Sequence, residues 1–167
     1  MSNEEEVSEP TELTREQAYR NVYQLLKGQD ITNFVEKKNI SDKFKPEFIS
    51  WTHIWEFLLQ TYPEFELEHL EPIIHADGTM TVQCKLTIPV GCHQLTRTER
   101  LYVMDNSMRA KKNPSGQDIN KADKRCFVKC AALFGLGIQL YTGEDLPEAD
   151  TVKTANAPAV PKEIEIP

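Results

Sequence analysis

The chain has 167 residues, 40% of them hydrophobic and 27% charged, a size for one domain with tails rather than two independent cores. No apolar run approaches the ~20 residues of a spanning helix, and the acidic first twelve residues lack the basic start and apolar stretch of a signal peptide. A membrane or secreted protein is therefore not expected, and the formal net charge of −7 argues at first sight against a nucleic-acid partner as well.

Residues 1–12 carry Glu4, Glu5, Glu6, Glu9 and Glu12 and no base, and are expected to form a disordered acidic tail. A folded domain is expected over residues 13–148. Thr14 followed by Gln17 is a capping-box pattern, and Ala18, Val22 and Leu25 or Leu26 share one face of a helix that Gly28 stops. Residues 30–38 suggest a further helical turn before a polar stretch. Ser50 is placed to cap a helix running to about Gln60, with Trp51, Ile54, Trp55, Leu58 and Leu59 as its apolar stripe. Pro63 ends it, and Trp51 is expected to pack in the core, as is Phe134 farther along.

A strand begins at Phe65 and Leu67. After the Asp77-Gly78 turn, Met80, Val82, Cys84, Leu86 and Ile88 alternate with Thr79, Thr81, Gln83, Lys85 and Thr87, which is a strand with one apolar and one polar face. Gly91 marks the next reversal, and residues 93–104 read as a third strand. A polar loop then leads to a helix over about residues 118–134, with Ile119, Ala122, Cys126, Cys130 and Leu133 at helical spacing. The expected fold is α+β: a helix, a three-stranded antiparallel meander and a long helix, with one extra N-terminal helix. Residues 149–167 have Ala and Pro without a hydrophobic period and are expected to be a second disordered tail.

Resolved along the chain, the charge changes meaning. Residues 1–12 and 144–167 carry −5 and −4, residues 13–143 carry +2, and residues 97–130 hold nine bases against four acids. Lys121, Lys124, Arg125 and Lys129 fall at i, i+3, i+4 and i+8 on the last helix. Arg109-Ala110-Lys111-Lys112 lies just upstream, and Lys37-Lys38 forms a separate pair. Clustered bases on one helix face are an electrostatic footprint for nucleic acid, although a charge run is also an ordinary solvated surface. The polar strand face carries Thr rather than exposed aromatics, so it is not a base-stacking platform.

Other chemistry finds less support. Of the four cysteines, only Cys126 and Cys130 have close spacing, and buried core thiols explain Cys84, Cys126 and Cys130 better than a zinc site does. No Walker-type loop, nucleophile elbow or HExxH helix occurs. Glu144 and Asp145 could serve a metal-dependent nuclease, but two-metal sites need more carboxylates than this pair, so an acidic turn is preferred. No cofactor or resident metal is expected.

A set of motifs in one order goes further than composition. It comprises Val35-Glu36-Lys37-Lys38-Asn39, Phe48-Ile49-Ser50-Trp51, Tyr62-Pro63 and Leu101-Tyr102-Val103-Met104-Asp105-Asn106. It continues with Asp118-Ile119-Asn120-Lys121-Ala122, Arg125-Cys126-Phe127-Val128-Lys129, Phe134-Gly135-Leu136-Gly137 and Tyr141-Thr142-Gly143-Glu144-Asp145-Leu146-Pro147. Over about residues 30–148 this set resembles the bacteriophage Sak-type single-strand annealing proteins of the Rad-fifty-two-like recombinase superfamily. The resemblance implies a non-enzymatic, ATP-independent protein that binds single-stranded DNA and anneals complementary strands during phage recombination and repair. It also implies homo-oligomeric rings or helical filaments in the bacterial host's cytoplasm. A single-strand-binding protein and a partner exonuclease would be associated proteins. By the same resemblance, Lys129, Arg125 and Lys37 or Lys38 would line the DNA groove, with Val128 standing where the eukaryotic relative has a second adjacent base. Lys111, Lys112, Lys121 and Lys124 complete the candidate set on charge alone. The alternative from another class is a nucleic-acid-binding replication accessory module that does not anneal.

Overall fold

Thr14 and Gln17 cap the first helix reciprocally: Thr14 Oγ1 accepts from the Gln17 amide at 3.2 Å, and Gln17 Oε1 accepts from the Thr14 amide at 2.9 Å. Two orphan donors are thereby satisfied, and α1 (Arg15–Lys27) starts there and ends against Gly28. The computed structural model describes residues 11–142. The expected C-terminal tail, the pair Glu144 and Asp145, and all but the last two residues of the N-terminal tail lie outside the described residues. Ala18, Val22 and Leu26 are the buried face of α1, and Leu25 is exposed.

The segment after α1 differs from expectation. A short 3-10 turn (Thr32–Phe34) runs directly into strand β1 (Val35–Lys37), which pairs antiparallel with β2 (Glu47–Ile49) in the register Val35↔Ile49. Helix α2 (Trp51–Thr61) follows at once, with Ser50 in the N-cap position. Ser50 Oγ lies 2.9 Å from Thr52 Oγ1 and does not cap a backbone amide.

The main sheet is the expected meander, in the order β3 (Glu66–Ile74), β4 (Met80–Val90), β5 (His93–Tyr102). The third strand is two residues shorter than read, although Val103 continues toward β4 by donating to Met80 O. Strand parity sorts the faces. Val82, Cys84, Leu86 and Ile88 are buried under α3 (Gly116–Ala132), which meets them with Ala122, Cys126, Phe127 and Cys130. Each large apolar side chain placed there contributes about 1.5–3 kcal/mol of transfer free energy. The other face presents Thr81, Gln83, Lys85 and Thr87 beside Thr96, Thr98 and Arg100.

The exposed edge of β5 is covered by α1. Tyr19 Oη donates to Thr96 O and accepts from the Thr96 amide at 3.2 Å, so ladder groups that β4 does not use still find partners. Arg97 points to the α3 side and stacks over Tyr19, its guanidinium carbon 4.3 Å from the ring centroid, with Phe134 on its other flank at 5.7 Å.

Two packing expectations are corrected. Trp51 is 37% exposed rather than in the core, because α2 turns Ile54 and Leu58 inward and leaves the Trp51–Trp55–Leu59 edge of its stripe at the surface. Leu133 is likewise exposed, because α3 ends at Ala132 and the chain tightens into turns after it. Phe134 is buried as expected.

Candidate nucleic-acid interface

The basic side chains are distributed by three local structures. The loop between β5 and α3 is built on its own hydrogen bonds: Asp105 Oδ1 accepts from the amides of Ser107 and Arg109 at 2.8 and 3.0 Å. Asn113 donates its amide to Gly78 O, which pins the loop to the β3–β4 turn. Ser115 and Asp118 then form a capping box at the start of α3, which the sequence reading missed because Asp rather than Glu or Gln stands at the third helical position.

This loop neutralises much of its own charge. Arg109 lies 3.6 Å from Asp105, and Lys111 Nζ lies 2.8 Å from Asp118 Oδ2. Lys111 first, then the Ser115 amide and hydroxyl, hold the Asp118 carboxyl down at about 2. Lys112 is exposed, and its charge helps to lower the Asp77 carboxyl, after the hydrogen bonds from Thr79. Lys111, one of the candidate bases, is ion-paired at the helix start and keeps 42% of its side chain exposed.

On α3 the four bases do not form one continuous face. Lys121 is exposed one turn before Lys124, whose ammonium sits 4.2 Å from the Trp51 ring centroid on α2. Arg125, about 100° further round the helix, donates Nη1 to Met104 Sδ at 2.9 Å. Val128, 7% exposed, lies between the Lys124 and Lys129 sides of the helix. Lys129 leans toward Tyr141, 5.8 Å from that ring, on the 3-10 turn Ile138–Tyr141. Lys37 and Lys38 are carried by the separate two-stranded sheet, and Lys37 lies 3.5 Å from Glu47 across it, an exposed pair of little energetic weight.

The cysteines settle into two environments. Cys126 Sγ donates to Cys84 Sγ at 3.3 Å and Cys130 Sγ to Arg97 O at 3.3 Å, all three side chains buried between α3 and the sheet. Hydrogen bonds from Cys126 and Cys130, with burial, push the Cys84 thiol far above its usual range. Cys92 is exposed beside His93. Among the described residues, no group of three or more His, Cys, Asp or Glu side chains is arranged to hold a metal ion, and no helix is long and apolar enough to cross a membrane.

The sequence reading also missed the aromatic component of this surface. Trp51 stands beside Lys124, and the only signal for it was an apolar stripe on α2 too wide for one buried face.

An α+β domain of this order, with a long helix laid across a three-stranded meander and carrying bases on its outer sides, is the architecture that the motif set implies. The family model described as Sak Single Strand Annealing Protein matches residues 21–165, and the chain belongs to that family of single-strand annealing proteins. The matched span begins within α1 and extends beyond the motif-bearing residues at both ends. No curated protein matched the chain.

Proposed function

We propose that this chain binds single-stranded DNA through its backbone phosphates and anneals complementary strands without ATP. The observation that carries this reading is the family match over most of the chain, and the bases standing on the outer sides of α3 agree with it. Annealing makes and breaks no covalent bond, so the protein acts as a scaffold rather than an enzyme. It must hold a strand by contacts that carry no sequence information while leaving base edges open to a second strand, and Lys or Arg on phosphate does this.

Lys38, Lys112, Lys121, Lys124, Arg125 and Lys129 are the proposed phosphate contacts, with Lys37 competing for its own Glu47. A few bases per chain bind weakly and with strong salt dependence, so the reading includes a homo-oligomer, ring or filament, that repeats the patch along the strand. Phage recombination in a bacterial cytoplasm, alongside a single-strand-binding protein and an exonuclease, is the proposed setting.

The test is fluorescence-monitored annealing of two complementary oligonucleotides by purified protein with neither ATP nor Mg²⁺, alongside electron microscopy with and without single-stranded DNA. Acceleration of annealing together with rings or filaments is expected. Binding without acceleration would point instead to an accessory module, and strand cleavage on adding Mg²⁺ or Mn²⁺ to a nuclease.

A further inference from the structure

Trp51, the first residue of α2, and Trp55 one turn later are exposed to the same extent, 37% and 36%, but the Trp55 ring is braced edge-on by Phe65 and Phe127 at 4.7 and 5.8 Å. The braced ring fixes the helix and thereby the position of Trp51. The Lys124 ammonium lies over one face of the Trp51 ring, 4.2 Å from its centroid, at the end of a flexible side chain. That charge is not cancelled locally: the neighbouring Asp123 turns to His69 on β3, 3.7 Å away, and no carboxylate among the described residues lies within ion-pair distance of Lys124 or Lys121.

We infer that Trp51 and Lys124 form a one-nucleotide subsite, in which an unpaired base stacks on the indole in place of the Lys124 ammonium, which shifts off the ring face to hold the phosphate. The inference rests on the single-strand reading above and adds a contact to a base face, where that reading used phosphate alone. An apolar neighbour would have served a core tryptophan or a protein–protein contact. A mobile cation over an exposed ring suits instead a ligand that joins a flat π-surface to an anion. Stacking is indifferent to sequence because every base has a π-face, so the subsite leaves sequence neutrality intact. It also leaves the hydrogen-bonding edge of the stacked base outward, where a complementary strand can test it.

The experiment compares an oligothymidylate with an abasic strand of equal length, using the full chain. Trp51→Ala is expected to weaken oligothymidylate binding by about 5- to 100-fold and to leave abasic-strand binding within twofold. In a Trp55→Phe background, where Trp51 is the sole indole, oligothymidylate is expected to quench emission and the abasic strand is not. That second measurement needs no variant at Trp51 and so survives any folding defect of Trp51→Ala. Equal affinity of wild type and Trp51→Ala for oligothymidylate would overturn the subsite. So would parallel loss on both strands, or a changed oligomer mass in sedimentation, which would assign the ring to contact with a second copy of the chain. If the wild-type protein bound neither strand, the failure would belong to the single-strand reading itself.

Discussion

Gly135 tests how the C-terminal turn supports the fold. It has φ +112, and a Cβ placed on it would lie 2.9 Å from Tyr23 O, 3.0 Å from Tyr23 Cδ2 and 3.2 Å from the Lys27 amide nitrogen. Two of those three neighbours are backbone atoms of α1, which cannot swing aside as a side-chain tip can. The glycine cannot retreat either, because Phe134 and Leu136 on both sides of it are buried. Gly135→Ala therefore meets two penalties: about 1–3 kcal/mol for a side chain in that backbone conformation, and about 1–3 kcal/mol for forcing a methyl against α1. A total of about 2–6 kcal/mol is a large share of the 5–15 kcal/mol typical of a domain. Gly137→Ala is the control. Its φ of +74 is also left-handed, but its nearest neighbours would be the Ile31 and Leu140 side-chain tips at 3.8 and 4.0 Å, so only the backbone penalty of about 1–2 kcal/mol applies. Urea unfolding followed by the emission of Trp51 and Trp55 measures both. Equal destabilisation by the two variants would refute the close-approach argument and reduce Gly135 to a helix stop.

Four further outcomes follow from the same structure. Native protein treated with a thiol reagent should yield one fast-reacting cysteine, Cys92, and four after denaturation; more than one fast thiol would contradict the burial of Cys84, Cys126 and Cys130. Ser115→Ala should cost about 1 kcal/mol through loss of the α3 cap, read by thermal unfolding. Asp118 has a folded-state pKa of about 2, below the ordinary value near 3.9, so its stabilising contribution is complete above about pH 4 and is lost as pH falls through about 2. Asp118→Asn should flatten stability across that window. Finally, Lys121→Ala should lower single-strand affinity and reduce the salt slope by about 0.7, whereas Lys111→Ala should lower stability through Asp118 instead.

The parts of the fold legible in the sequence are those fixed by neighbours along the chain. The Thr14–Gln17 box spans three residues, and the alternation from Met80 to Ile88 needs only the strand's own parity. The β1–β2 pair was illegible because each strand has three residues and its register joins Val35 to Ile49 across an irregular segment, with no period long enough to detect. Trp51 was misplaced for a related reason. Periodicity marks an apolar stripe, but which edge of it is covered depends on where α3 crosses α2, a tertiary fact. At the candidate interface, charge clustering was legible, but the Lys111–Asp118 and Arg109–Asp105 contacts depend on how the loop between β5 and α3 closes.

Those contacts bear on how strongly one chain can hold a strand. Of the eight lysines and arginines singled out in the sequence, Lys37 and Lys111 face carboxylates. Lys124 and Arg125, about 100° apart on α3, lean toward Trp51 and Met104. A straight strand that follows α3 meets at most Lys121, Lys124, Arg125 and Lys129, about three or four usable phosphate contacts per chain. At about 0.7 per contact on single strands, that corresponds to a salt slope of about −2 to −3 for one subunit. Such a grip is weak at physiological salt, which suits annealing, because a strand held tightly at every phosphate could not adjust its path as a duplex forms. Affinity would then come from repetition of the patch, and the slope measured on a long strand divided by that of one chain would count the subunits engaged.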